Sequence, residues 1–489
     1  MAQPVATLPS SVSDLVLMDA ISLSEAIGAK RVSCREVMVA FLDHIERFNP
    51  KVNAIVSLQP RAALLAQPEE RDRELARGQR RGWMHGFPHA VKDLAPTRGL
   101  RTTWGSSLLD IVPDEDAIFV ERIRNSGAII IGKTNVPEFG MGSQTYNSIF
   151  GTTLNPWDLS KTAGGSSGGA AAALSLRMLP VADGSDMMGS LRNPAAYNNI
   201  FSLRPSYGRV PSADIELFFG QLMVAGPMAR SAADLALLLS VMAGPDARMP
   251  LSIDEDPAIF THILERDFSG TRVAWLGDLG GYLPMEPGIV ELCRAALKAL
   301  EAIGCAVEES GLGFPPERMW ESWLTLRHWL IAGNLGALYN DPAKRALMKP
   351  EAIWEVERGM KLSAQDVYQA SVERSELYCA VLKLFGNYEY LALPSAQVFP
   401  FAASTHWPKT VNGIAMDTYH RWMEVVVLAS MLGFPVANVP VGFSPDGLPM
   451  GMQIIGRRHA DFAVLQLAHA YEQSTHWVRD HLPPLLSRG

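Results

Sequence analysis

Ala163-Gly164-Gly165-Ser166-Ser167-Gly168-Gly169-Ala170 runs straight into an alanine-rich stretch, and its reading decides the fold. A glycine-rich turn that opens a helix has two uses. Its backbone N–H groups can hold an anion, or the missing side chains can let neighbouring groups come close to a ligand. A phosphate loop asks for Gly-Lys-Ser/Thr at the helix start, and Gly168-Gly169-Ala170 stands there instead. A plain flexible turn stays open on this run alone. Working outward, Gly189-Ser190 lies 24 residues after Ser166, and Lys92, within Ala90-Val91-Lys92-Asp93-Leu94, lies 74 residues before it. Two serines in glycine-rich turns and one lysine among apolar neighbours are residue types that could serve as a nucleophile, a relay and a base.

Lys92 alone is unremarkable, because a lysine paired with a carboxylate such as Asp93 at a strand end is the plainer reading. Its apolar flanks place it on a buried strand, where desolvation lowers a lysine pKa and makes a base near neutrality. The surroundings alternate strand and helix. His89–Lys92 reads as extended, Phe119–Asn125 as a helix stopped by Gly127, and Ala128–Ile131 as a strand. Ser167–Arg177 reads as a helix and Leu179–Ala182 as a strand. The alternation returns at Arg272–Leu276, near Glu286–Ile303 and at Ala306–Glu308, and strands recur at Tyr390–Leu393, Val436–Phe443 and Met450–Ile455. That pattern predicts an α/β fold, a single large domain with a mixed twisted β-sheet core surrounded by helices. Before it, Leu23, Ile27, Val37, Phe41 and Ile45 predict two helices, the second capped by Ser33. Arg61–Arg81 reads as an exposed charged helix.

Composition narrows the function. The chain has 489 residues, 48% of them hydrophobic and 19% charged, which suffices for a sizeable core. A net charge of −8 argues against binding nucleic acid through phosphate contacts. The four cysteines (Cys34, Cys293, Cys305, Cys379) form no C-x-x-C pair and predict reduced thiols. Neither the histidines nor the carboxylates show a metal spacing, so no metal and no cofactor is expected. The first basic residue is Lys30 and no apolar run reaches the length of a membrane span. The expectation is a soluble cytoplasmic protein with a small-molecule partner and no membrane contact, compatible with a homodimer.

The ordered motifs resemble the amidase signature family. Gly86-Phe87-Pro88 through Lys92-Asp93 is similar to its lysine segment, and Gly132-Lys133-Thr134-Asn135 with Glu138-Phe139 to the next block. Asn155-Pro156-Trp157, Gly164–Gly169, and Gly184-Ser185-Asp186 through Pro194-Ala195-Ala196 resemble its core, which Arg204-Pro205-Ser206-Tyr207-Gly208-Arg209 closes. Gly433-Phe434-Pro435, Val439-Pro440 and Gln453-Ile454-Ile455-Gly456 resemble its C-terminal pattern, so the likeness runs roughly from Leu23 to Glu472. The polar, small-residue-rich start predicts a loose N-terminal arm over 1–20, and the likeness implies an amidase signature domain over 21–480, with a catalytic core at 85–220. A helical substrate-rim insertion is implied at about 314–362. The tryptophans there (Trp320, Trp323, Trp329, Trp354) read equally as helical core or as pocket rim.

Carried over residue by residue, the resemblance makes Ser190 the nucleophile, Ser166 the bridging serine that follows a cis peptide bond, and Lys92 the base. Oxyanion and substrate contacts fall on Met187, Met188 and Gly189, each amide donor contributing about 3–4 kcal/mol by analogy with other oxyanion holes. The family's common form has Thr or Ile and then Gly where Met187 and Met188 stand, so the turn must use dihedrals that an L-residue tolerates. His89 lies near Lys92, where a hydrogen-bonded strand histidine is the plainer role. The implied activity is hydrolysis of a small carboxamide, apolar or aryl-bearing, through an acyl-serine. Two alternatives stand beside it. One is the glutaminase subunit of a tRNA-dependent amidotransferase, whose acidic substrate-binding position falls on Met423, next to Glu424. The other is a non-catalytic binding protein on the same scaffold.

Overall fold

Ser33 caps its helix through a reciprocal pair: its hydroxyl accepts from Glu36 N at 3.1 Å, and the Glu36 carboxylate accepts from Ser33 N at 2.8 Å. The computed structural model describes residues 12–212 and 216–487. Helices α1 (Ala20–Gly28) and α2 (Cys34–Val52) follow the apolar spacing, with Leu23, Ile27, Val37, Phe41 and Ile45 buried. The arm expected over 1–20 is loose neither at Val16 nor at Ala20. Asp14–Leu17 forms a helical turn and both side chains are fully buried, while residues 1–11 lie outside the described residues.

Strands β1 (Ile55–Val56), β2 (Pro88–Lys92) and β3 (Ile129–Thr134) form a small sheet in the order β1-β3-β2, with β2 parallel to β3 and β1 antiparallel to it. Helix α3 (Arg61–Ala76) carries the charged run between β1 and β2, and α4 (Ile118–Asn125) leads into β3. Every residue of β2 and β3 is buried, and the lysine strand pairs within this small sheet and not within the main one.

The main sheet has eight strands. After α5 (Gly168–Ser175) come β4 (Ala182–Asp186), α6 (Arg192–Tyr197), β5 (Phe201–Arg204), β6 (Val224–Ala229) and α7 (Ala232–Met242). Then follow β7 (Arg272–Trp275), α8 (Ile289–Ala302) and β8 (Ala306–Glu309). Three helices come next: α9 (Pro316–Asn340), α10 (Pro350–Gly359) and α11 (Ala364–Asn387). Strands β9 (Tyr390–Pro394), β10 (Val436–Phe443) and β11 (Pro449–Gly456) precede α12 (Asp461–Thr475). The order is β8-β7-β9-β11-β10-β5-β6-β4, with the β7–β8 and β7–β9 pairs parallel and the rest antiparallel. This is the mixed-sheet α/β fold that the alternation predicts.

The strand expected at Leu179–Ala182 lies instead at Ala182–Asp186. Leu179 and Val181 are core residues ahead of it, and the polar residues of β4 hide its extended character in the sequence. Helix α5 is buried along its whole length against Phe48 of α2 and Ile129 and Ile131 of β3. Its alanines and glycines are there for space. A Cβ on Gly169 would come within 2.3 Å of Asn135 N and 2.6 Å of Ala54 O, so only glycine fits. Among the described residues no helix is long and apolar enough to cross a membrane.

Candidate active site

Strand β2 ends at Lys92, beside β4 at the edge of the main sheet. The carboxylate of Asp183 on β4 ties the two sheets together, accepting from Lys92 N at 3.1 Å while its other oxygen lies 2.9 Å from His89 Nε2. His89 is fully buried and its Nε2 is taken up by Asp183, the plainer of the roles open to it in the sequence.

The structure brings Lys92 and Ser166 together. Lys92 Nζ lies 2.8 Å from Ser166 Oγ, 2.8 Å from Ser167 Oγ, 3.0 Å from Ser185 Oγ and 3.2 Å from Ser185 O. The lysine is 1% exposed. Burial disfavours its ammonium form, and although Asp186 and Asp183 pull the other way, the pKa is pushed down to about 7. A neutral amine has two N–H donors and one lone pair. The Ser185 carbonyl can only accept, so the lone pair is left to meet a serine O–H. Ser167 and Ser185, which sequence reasoning did not single out as partners of this lysine, complete its shell. Both stood within the quoted motifs.

Ser190 is brought to the same place by the backbone, with Ser167 N donating to Ser190 O at 3.2 Å. The Gly165–Ser166 peptide bond is cis, as the resemblance implied. The Met187–Ser190 turn is built around Asp186, whose carboxylate accepts from Gly189 N at 2.8 Å and Leu191 N at 3.2 Å. Arg192 donates to both Asp186 oxygens, at 3.0 and 2.9 Å. Burial alone would raise the Asp186 carboxyl, but the Arg192 guanidinium, with Arg204 near it, outweighs burial and holds it well below the usual range.

The two methionines fit because only Gly189 in the turn needs positive φ, at 79°. Gly189 N is engaged by Asp186, whereas the amides of Met187, Met188 and Ser190 find no acceptor among the described residues. Those three are the turn's free donors.

Ser166, Ser185 and Ser190 open into one pocket. Leu94, Phe139, Met141, Met187, Met188, Met223, Ile331 and Met423 supply its apolar walls, and among the described residues Arg327 is the charged residue lining it. Two of the insertion's tryptophans take the core role, while Trp329 and Trp354 are half-buried. Trp320 and Trp323 are buried, and α9 faces the pocket with Arg327 and Ile331 instead. Among the described residues no group of three or more His, Cys, Asp or Glu side chains could hold a metal ion. All four cysteines are free.

Comparison with known proteins agrees with this architecture. The family model described as Amidase matches residues 36–465. An acylamidase of Rhodococcus erythropolis is 32% identical over 466 residues, covering 94% of this chain and 96% of the relative. A glutamyl-tRNA(Gln) amidotransferase subunit of Ralstonia nicotianae is 36% identical over 493 residues, covering 93% and 97%. Among solved structures, a bacterial aryl acylamidase of the amidase signature family superposes with a TM-score of 0.90 at 28% identity, covering 96% of this chain and 98% of its own. With the family match spanning most of its length, the chain belongs to the amidase signature family, and it is an amide hydrolase acting on C–N bonds.

Proposed function

We propose that the protein hydrolyses a small, apolar or aryl-bearing carboxamide through an acyl-Ser190 intermediate, with Lys92 as base and Ser166 as relay. The observation that carries this reading is the Lys92 amine, buried among serine hydroxyls with its pKa pushed down to about 7. A serine hydroxyl attacks only as its proton leaves. Lys92 takes the proton of Ser166, Ser166 takes that of Ser190, and Ser190 Oγ adds to the amide carbon. The oxyanion formed there meets the free amides of the Met187–Ser190 turn. The relay then runs backwards, Ser166 returning a proton to the leaving nitrogen as the C–N bond breaks. Water repeats the sequence on the acyl-enzyme and releases carboxylate.

The apolar class of substrate rests on the methionine- and phenylalanine-lined pocket, and relatives named acylamidase and aryl acylamidase support it. We further take 21–480 as one amidase unit whose catalytic core spans 85–220, with the insertion at about 314–362 forming one pocket wall. The amidotransferase relatives keep the glutaminase reading in view. What weighs against it is charge: the ammonium of glutamine asks for a carboxylate, and the pocket is lined at that place by Met423. The adjacent Glu424 is engaged with Arg421, its oxygen 2.6 Å from Nε.

Labelling with a fluorophosphonate followed by peptide mass spectrometry tests the assignment. The adduct is expected on Ser190. An adduct elsewhere, or full activity in Lys92→Ala, would overturn it.

A further inference from the structure

Arg327 is a buried arginine that spends only part of its donor set. On α9, 5% exposed, it donates from Nε to Glu355 Oε1 at 2.7 Å and from one terminal nitrogen to Tyr419 OH at 2.7 Å. Its other terminal nitrogen, NH1, reaches into the pocket that holds Ser166 and Ser190, where it meets the thioether of Met187 at 3.2 Å. A thioether is a weak acceptor, so this N–H is under-satisfied at a buried position, where guanidinium hydrogen bonds to oxygen are strong. Met187 is unbranched and flexible enough to swing aside.

The rest of the cluster fixes the aim of the arginine. Glu355 is fully buried, accepts from both Arg327 and the Tyr419 hydroxyl, and lies 2.6 Å from His328 Nδ1 through its second oxygen. The guanidinium is therefore held from two sides with its free edge towards the substrate, and its charge is already matched by a carboxylate. A substrate anion here would lie close to Glu355 among methionine side chains and would lose its water. A neutral carbonyl oxygen would take the same hydrogen bond with far less to desolvate.

We propose that Arg327 is a specificity-determining residue for substrates carrying a second, neutral carbonyl oxygen besides the scissile amide, and that this oxygen displaces the Met187 thioether from Arg327. This rests on the proposed reaction at Ser190 and narrows its substrate class from apolar amides to oxo- or acyl-bearing ones.

The test compares ω-oxo-ω-phenylalkanamides, with two to four methylenes between the carbonyls, against their counterparts with CH2 in place of the ketone, and against ω-carboxyalkanamides. Fluorophosphonate labelling of Ser190 is read first, and its absence counts against the reaction itself. For enzyme that labels, the best oxo member is expected to exceed its CH2 counterpart by about 10- to 100-fold in kcat/KM. The carboxylate members are expected to be poorer than the oxo members. The ratio is expected to collapse in the double variant Arg327→Gln, Glu355→Gln, which removes both charges together. Met187→Leu, which keeps Arg327 but deletes the competing thioether, is expected to hold or raise it. A wild-type ratio within about twofold, no turnover of any member by enzyme that labels, or preference for the carboxylates would overturn the proposal. So would a ratio that survives the double variant or collapses in Met187→Leu.

Discussion

A primary amine held away from water among hydroxyls has a free energy that depends on pH, and Lys92 is such a group. Burial brings it from its ordinary value of 10.5 down to about 7 in the folded protein. Below about pH 7 the side chain is charged in both folded and unfolded states, and the fold bears the whole cost of the buried ammonium. Between about 7 and 10.5 the folded side chain is neutral while the unfolded one still binds a proton, so stability rises with pH across that window. The cost at its largest is on the order of 5 kcal/mol. Lys92→Met fills the same space without a charge. Its melting temperature relative to wild type is expected to be most favourable at or below about pH 7 and to lose that advantage steadily towards pH 10. A difference independent of pH in thermal melts would contradict the burial account. The residue itself was legible in the sequence because Ala90, Val91, Leu94 and Ala95 surround it. Its partners Ser167 and Ser185 were not, because a serine beside glycine carries no mark in the sequence of which way its hydroxyl faces.

The element that shapes the candidate site is β4 with the turn behind it. Asp186, the last residue of β4, gathers Gly189 N, Leu191 N and the Arg192 guanidinium around one carboxylate. Arg192 in turn reaches Val426 O at 2.8 Å, Gln453 Oε1 at 2.6 Å and Ser430 Oγ at 2.6 Å. Asp186 thus sets the turn that presents Ser190 and couples it to β11 and to the segment after Arg421. Asp186→Ala would leave a buried guanidinium and two amide N–H groups without their acceptor, a loss of about 3–5 kcal/mol. Chemical denaturation checks that figure, and hydrolysis is expected to fall with it because the turn loses its template. A variant of wild-type stability would show that Arg192 is satisfied by its other partners. Ala182-Asp183-Gly184-Ser185-Asp186 does not read as a strand, since its pattern is polar and glycine-containing. Its polar side chains, buried at Asp183 and Asp186 and half-buried at Ser185, are engaged at the site: Asp183 anchors β2, Ser185 meets Lys92, and Asp186 sets the turn. Local propensity failed at β4 because its residues meet the needs of the site before those of the sheet.

At the scale of the molecule, the candidate site lies at a seam. Its buried lysine comes from the small sheet, the Met187–Ser190 turn from the edge strand of the large one, and the pocket wall from α9 far along the chain. The alternating strands and helices announced an α/β fold, and the ordered glycine motifs carried the resemblance that put Lys92, Ser166 and Ser190 in one set. The pairing of distant elements left no local trace. Neither the split into two sheets nor the contact of Arg327 with Met187 follows from spacing, because both depend on how elements pack and not on any one element's pattern. The tryptophan-rich insertion illustrates the same limit, since Trp320 and Trp323 pack inward and give the pocket wall to Arg327 and Ile331. What joins the parts across the seam is the proposed proton path from Ser190 through Ser166 to neutral Lys92. The rate at which a fluorophosphonate labels Ser190, followed against pH, tests it most directly. In wild type the rate is expected to rise with an apparent pKa of about 7 and level off above it, and in Lys92→Ala to be lower and to lack that titration. A pH-independent wild-type rate, or the same titration surviving in Lys92→Ala, would contradict the account.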